Sequence, residues 1–254
     1  MSDRRGEDSA IRHEPTDRAP CAVSVVLPCL DEAATVALCV RQAMVGIDRL
    51  GVLGEIIVVD NGSSDASACL ASAAGAHVVT VSTRGYGVAL RAGISCARGT
   101  FVVVADADAS YDLAHLGAFW ERLIDGSDLV VGNRFKGGIA AGAMPFWNRW
   151  IGNPFLSWCG RLFVPTRLGD FHCGLRAFRR TAIMDLGLRT EGMEFATEII
   201  ARACFAGLTV VEVPTHLLQS GRPGRSHLRP IRDSFRHLGV LIAISTSARA
   251  ARRR

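Results

Sequence analysis

The residues best suited to chemistry are Asp106 and Asp108, in the stretch FVVVADADASYD at residues 101–112. The apolar, mostly β-branched run at 101–104 predicts a strand buried on both faces, as in a parallel sheet. Two carboxylates at i and i+2 just past the carboxyl end of such a strand stand where open α/β sheets bind ligands. On an extended backbone they share one side and can hold one hard cation. Oxygen-only ligation points to Mg²⁺ or Mn²⁺ rather than zinc. The same residues also suit a plain acidic turn leading into a helix at Asp112.

The elements that must position this pair follow from the rhythm of the chain. Residues 22–28 and 55–60 predict the first two strands, with a helix between them that Asp31 can cap and that reaches about Leu50. Asp60 closes the second strand, and Asp65 opens the next helix. Residues 77–81 predict a third strand, and the glycine-punctuated segment RGYGVALRAG (84–93) starts a helix reaching about Ala97. After the strand before Asp106 come a helix at about 113–124 and a fifth strand at 128–132. Strands and helices alternating at this spacing predict an α/β fold with a mostly parallel sheet. Past Gly132 the rhythm changes. A Trp-rich stretch fills 144–164, a helix is expected at about 194–206, a late strand at 209–214 and an amphipathic helix near 231–245.

Composition narrows the class. The 254 residues carry 29 basic and 24 acidic side chains, and every basic residue except Lys136 is Arg, as codon bias in a GC-rich genome would give. The eight Cys show no C-x-x-C pairing and the seven His no zinc-type spacing, so the thiols read as free, mostly buried groups in a reducing compartment. Residues 1–20 are charged and lack an apolar core, which predicts a disordered tail rather than a signal peptide. No run approaches the roughly 18 apolar residues of a membrane span. These features predict a cytoplasmic protein, soluble or peripheral to the membrane, with no nucleic-acid partner.

Several further groups have chemistry to offer. A carboxylate at Asp60 can accept hydrogen bonds from a base or ribose, or can serve as a turn residue. Gly85, Gly87 and Gly93 do not make G-x-G-x-x-G and follow the third strand, which counts against an NAD-binding dehydrogenase. The helix N-terminus beside Arg84 can still face a diphosphate. Trp147, Trp150 and Trp158, with Arg149 and Arg161 among them, suit a membrane headgroup zone, or else core. The late Arg222, Arg225 and Arg229 can clamp phosphate oxygens.

Together these motifs resemble glycosyltransferase family 2, in its dolichyl-phosphate mannose or glucose synthase-like branch. The residues that carry the resemblance are VVLPCLDE, EIIVVDNGSSD, RGYGVALRAG, ADADASYD, GNRF, DFHCGLRAF, GMEFATE and RPGRSHLR, in that order over about 22–242. The resemblance implies a GT-A fold over 21–248, with a nucleotide-sugar half at about 21–135, an acceptor half at about 136–248 and a basic tail at 249–254. It implies nucleotide-sugar contacts at Pro28, Glu32, Asp60, Arg84, Gly85, Ala107 and Asp108. Asp106 and Asp108 would hold the divalent ion, with Ser110 as a further ligand. Arg134, Arg149, Arg176 and Arg222 would face phosphates, with Ser226 in the same late loop, and Asp106, Asp108, Arg134 and Arg222 would form the catalytic group. Asp31, Tyr86, Arg225 and His227 depart from the residues usual in the branch.

The implied reaction is inverting transfer of a hexose from a UDP- or GDP-sugar to a polyprenyl phosphate at the inner face of the cell membrane. An acceptor hydroxyl would instead require a base, with Asp170 or Glu194 as candidates. A sugar nucleotidyltransferase and a non-catalytic nucleotide-sugar sensor are the other readings the residues leave open.

Overall fold

The computed structural model describes residues 21–222 and 230–251. Seven strands form one sheet in the order β3-β2-β1-β4-β6-β5-β7. They are β1 (Val23–Cys29), β2 (Gly54–Asp60), β3 (His77–Thr80), β4 (Phe101–Val104), β5 (Leu129–Asn133), β6 (Arg176–Arg179) and β7 (Val210–Pro214). The β-branched runs of β1, β2 and β4 lie in the centre and are almost wholly buried, as expected of strands covered on both faces.

Six strands run parallel. β6 alone is antiparallel, wedged between β4 and β5 with Val102 opposite Phe178 and Leu129 opposite Phe178 on its other side. Sequence pattern does not reveal this strand, because RAFR begins and ends in charge. Its ends are tolerated because Arg176 hydrogen-bonds three backbone carbonyls, while Arg179 stacks over Phe101, 5.2 Å from the ring centre, and approaches Asp128.

Helices α1 (Val36–Leu50), α2 (Ser67–Ala73), α3 (Tyr86–Cys96) and α4 (Gly117–Ile124) connect the first five strands. In α1 the buried residues Val36, Cys39, Val40, Ala43 and Ile47 recur at helical spacing and form one apolar stripe. The helix stops at Gly51, whose φ of 67° closes a left-handed C-cap. It also starts later than expected. Asp31 has φ 55°, and its carboxylate accepts from the Ser64 N–H (2.7 Å) and hydroxyl (3.0 Å), so it ties the β1 and β2 loops together instead of capping α1.

The later half adds α5 (Arg134–Gly137), a π-helical turn (Asn148–Gly152), α6 (Asn153–Phe163), α7 (Arg180–Met184), α8 (Phe195–Phe205) and α9 (Pro230–Ala251). A small second core of Val164, Ala201 and Leu241 joins α6, α8 and α9. β6 and β7 complete the sheet begun by the first half, so one sheet serves both. The expected tail at 1–20, Ser226, Arg225, His227, Arg229 and residues 252–254 lie outside the described residues.

Candidate active site

β1 has β2 on one side and β4 on the other, so the strand order reverses there and a crevice opens at the carboxyl ends of these strands. Four expected residues converge on it. Glu32 follows β1, Asp60 ends β2, and Asp106 and Asp108 follow β4. Pro28 sits near the end of β1, in register with Val59. The Asp60 carboxylate accepts from the Ser63 N–H at 3.1 Å, and Arg84 lies along the same turn, donating to the Gly62 carbonyl at 3.3 Å.

The acidic turn is held from several directions. Asp108 accepts from the Ser110 N–H through its side chain (3.0 Å) and from the Gly221 N–H through its carbonyl (2.9 Å). Ala109 takes φ 61°, a conformation that few non-glycine residues adopt and that neighbouring contacts must maintain. The Asp106 carboxyl is pushed up to about 6, by burial first and by the Asp108 charge second, while a hydrogen bond with Tyr86 opposes the shift. A Cβ on Gly174 would collide with the Asp106 carboxylate, so glycine lets the backbone pack against it.

These features fit a divalent cation. The donor set is oxygen only, and the half-buried pair concentrates negative charge that such an ion would relieve. Asp106 and Asp108 would hold it, with Ser110 on the same turn. Among the described residues no group of three or more His, Cys, Asp or Glu is placed to bind a metal.

Several expected residues are otherwise engaged. Arg134 donates to Asp170 through Nε (2.7 Å) and a terminal nitrogen (2.8 Å), and both side chains are buried. Neither is offered to a phosphate or free to act as a base. Arg176 spends its guanidinium on the carbonyls of Cys173, Phe171 and Ala196, so it fastens a loop to α8 rather than facing a ligand. The start of α3 is closed too, because Gly87 and Val88 donate to the Glu191 carbonyl (2.9 and 3.3 Å). That loop packs so close that a Cβ on Gly85 or Gly87 would strike the Glu191 or Thr190 carbonyl. The α3 N-terminus therefore binds chain, not diphosphate.

Glu194 pairs with Arg236 at 2.8 Å through one oxygen, while Oε2 is buried without a partner. Arg222 reaches back and ion-pairs with Glu32, which joins the late loop to the loop after β1. Arg149 lies over Trp150, 5.3 Å from the ring centre. The Trp residues are not core: Trp147 is 69% exposed, Trp150 61% and Trp158 50%.

Sequence reading overlooked Thr35 and Tyr111. Thr35 donates to the Ala107 carbonyl at 2.7 Å, and the Tyr111 hydroxyl accepts from the Gly174 N–H at 2.9 Å. It also overlooked His172, whose ring meets that of His237 edge-to-face at 4.6 Å and whose two nitrogens are buried without partners. Only the spacing of Thr35, three residues after Glu32, hints at a role.

A mostly parallel sheet with an acidic pair at its switch point and an added helical half is the arrangement of GT-A-type glycosyltransferases. The chain belongs to glycosyl transferase family 2, which matches residues 24–187. It is 30% identical over 236 residues to the low-salt glycan biosynthesis hexosyltransferase Agl6 of Haloferax volcanii, covering 92% of this chain and 56% of that protein. The chain thus spans little more than half the length of that relative. A dolichyl-phosphate hexose transferase of the same organism is 31% identical over 192 residues, covering 75% of this chain and 81% of its own. Among solved structures, glucosyl-3-phosphoglycerate synthase of Mycobacterium tuberculosis bound to phosphoglyceric acid superposes with a TM-score of 0.64 at 25% identity, over 89% of this chain and 80% of that one. Another structure of that enzyme holds Mn²⁺, UDP and glucosyl-3-phosphoglycerate.

Proposed function

We propose that the chain transfers a hexose from a UDP- or GDP-sugar to a polyprenyl phosphate at the cytoplasmic face of a membrane, with inversion at the sugar carbon. Glu32 and Asp60 face the nucleoside, and Asp106 and Asp108 face the diphosphate. A divalent ion held there, Mg²⁺ or Mn²⁺, would neutralise charge on the departing nucleoside diphosphate. The Asp106 and Asp108 carboxylates would be the protein's share of its ligands. An acceptor phosphate oxygen bonds to the anomeric carbon as the bond to the diphosphate oxygen breaks, and the electron pair leaves with the nucleotide. A phosphate acceptor is already anionic at neutral pH and needs no general base.

The observation that carries the lipid acceptor is the solvent-facing aromatic surface. Phe146, Trp147, Trp150, Phe155 and Trp158 stand outside the core beside Arg149, a composition that suits the headgroup region of an anionic bilayer. No helix among the described residues is long and apolar enough to cross a membrane, so contact would be peripheral. The name of the dolichyl-phosphate hexose transferase relative supports the same acceptor. The assay supplies labelled donor with either a short polyprenyl phosphate or the corresponding alcohol. Transfer to the phosphate alone is the expected result.

One observation favours a second reading. The buried, unpartnered Oε2 of Glu194 could take a proton from an acceptor hydroxyl, and the related fold of glucosyl-3-phosphoglycerate synthase serves a small phosphorylated acceptor. Transfer to a soluble hydroxyl compound, abolished in Glu194→Gln, would establish it.

A further inference from the structure

We infer that Thr35 is a positioning residue that sets the acidic turn for the metal with its hydroxyl and seats the late loop with its methyl group. The inference rests on the reading of Asp106 and Asp108 as metal ligands.

Thr35 is 3% exposed and immediately precedes α1, well away in sequence from Ala107 and Gly221, which it touches. Its hydroxyl has one proton and three acceptors near it. The Ala107 carbonyl lies at 2.7 Å, whereas the carbonyl of Glu32 and its Oε2 both lie at 3.4 Å. Distance assigns the proton to Ala107. That carbonyl belongs to the residue between the two carboxylates, so the bond fixes the peptide plane that sets their relative direction. The turn needs such a hold, because Ala109 just beyond it is kept at φ 61°.

The methyl group has a different task. Gly221 packs against it so closely that an added Cβ would lie 2.8 Å from Thr35 Cγ2. The Gly221 N–H donates to the Asp108 carbonyl at 2.9 Å, and Ser220 Oγ lies 3.4 Å from the same carbonyl. Arg222, the next residue, then meets Glu32. One side chain therefore touches the Glu32 loop and the acidic turn through its hydroxyl, and the late loop through its methyl group.

This separation makes the two roles divisible by substitution. Thr35→Val keeps the methyl and loses the hydroxyl, whereas Thr35→Ser does the reverse. Mn²⁺ is titrated by electron paramagnetic resonance in the presence of UDP and, separately, GDP. Thr35→Val should lose about tenfold in Mn²⁺ affinity, the usual size of a lost outer-shell contact, while Thr35→Ser stays at the wild-type value. Thr35→Ser should instead raise KM for the acceptor with little change in kcat. If Thr35→Val does not fold, Thr35→Ala against Thr35→Ser makes the same comparison. Equal Mn²⁺ affinity in wild type, Thr35→Val and Thr35→Ser would overturn this role for Thr35 and leave the donor reading standing. Failure of the wild type to bind Mn²⁺ with either nucleotide would overturn the donor reading and this one with it.

Discussion

Arg222 and Glu32 lie 190 residues apart and meet in an ion pair. Glu32 is almost fully buried on β1's loop, and Arg222 retains a buried Nε without a partner. Both were expected to face ligands, one a nucleoside and the other a phosphate. Under the proposed function, ligand binding would redirect both groups. Arg222→Ala should therefore leave UDP or GDP affinity intact or improved. It should weaken acceptor use by a few kcal/mol, the loss expected of a charge-assisted contact. Nucleotide titration and acceptor kinetics on the same variant measure the two effects, and parallel losses would count against the redirection.

Asp108→Asn should lower transfer about a hundredfold or more while thermal melting stays unchanged, because the substitution is isosteric at a partly exposed turn. Excess chelator should bring the wild type to the same level. Full activity in chelator would remove the metal from the account.

Asp170→Asn should act on stability first. It leaves the Arg134 guanidinium buried without its anion, at a cost of about 3–5 kcal/mol by urea unfolding. Replacing both residues by apolar ones of similar size should recover much of the loss. A catalytic base at Asp170 would instead give a stable, inactive variant.

The exposed Trp residues predict a membrane effect without a folding effect. Changing Trp147, Trp150 and Trp158 together to Ala should reduce co-sedimentation with anionic liposomes and leave the melting temperature near wild type. Removing residues 249–254 should reduce it further, by about 1 kcal/mol for each Arg near the surface, and less in high salt. Unaltered sedimentation in both variants would separate the aromatic face from lipid.

Acid should destabilise the protein through His172. Burial first, then His237, Arg134 and Arg176, hold its imidazole well below the ordinary range, so the folded protein keeps it neutral. The unfolded chain binds a proton there below about pH 6.5, so this contribution is constant above that pH and declines as the pH falls beneath it. Unfolding free energy measured from pH 7.5 to 5 should show the decline. His172→Asn should flatten it.

Sequence alone was enough for the framework and for the placement of three carboxylates at the sheet's carboxyl edge. Runs such as VSVVLPC and FVVV have few alternatives to buried strands, and a carboxylate that follows such a run lands at the sheet's carboxyl edge whatever the rest of the chain does. Asp60, Asp106 and Asp108 were legible for that local reason. The charged groups of the later half were not. Whether an Arg meets a ligand or another side chain depends on which loops the crossovers bring together, and hydrophobic periodicity does not encode that. Arg134 found Asp170 36 residues away, Arg176 found three carbonyls, and Arg222 found Glu32. The antiparallel β6 and the outward turn of the Trp residues were decided at the same level. A short charged strand is stable only between the neighbours that satisfy its ends, and an aromatic cluster is core or surface only once the sheet has chosen which helices cover it.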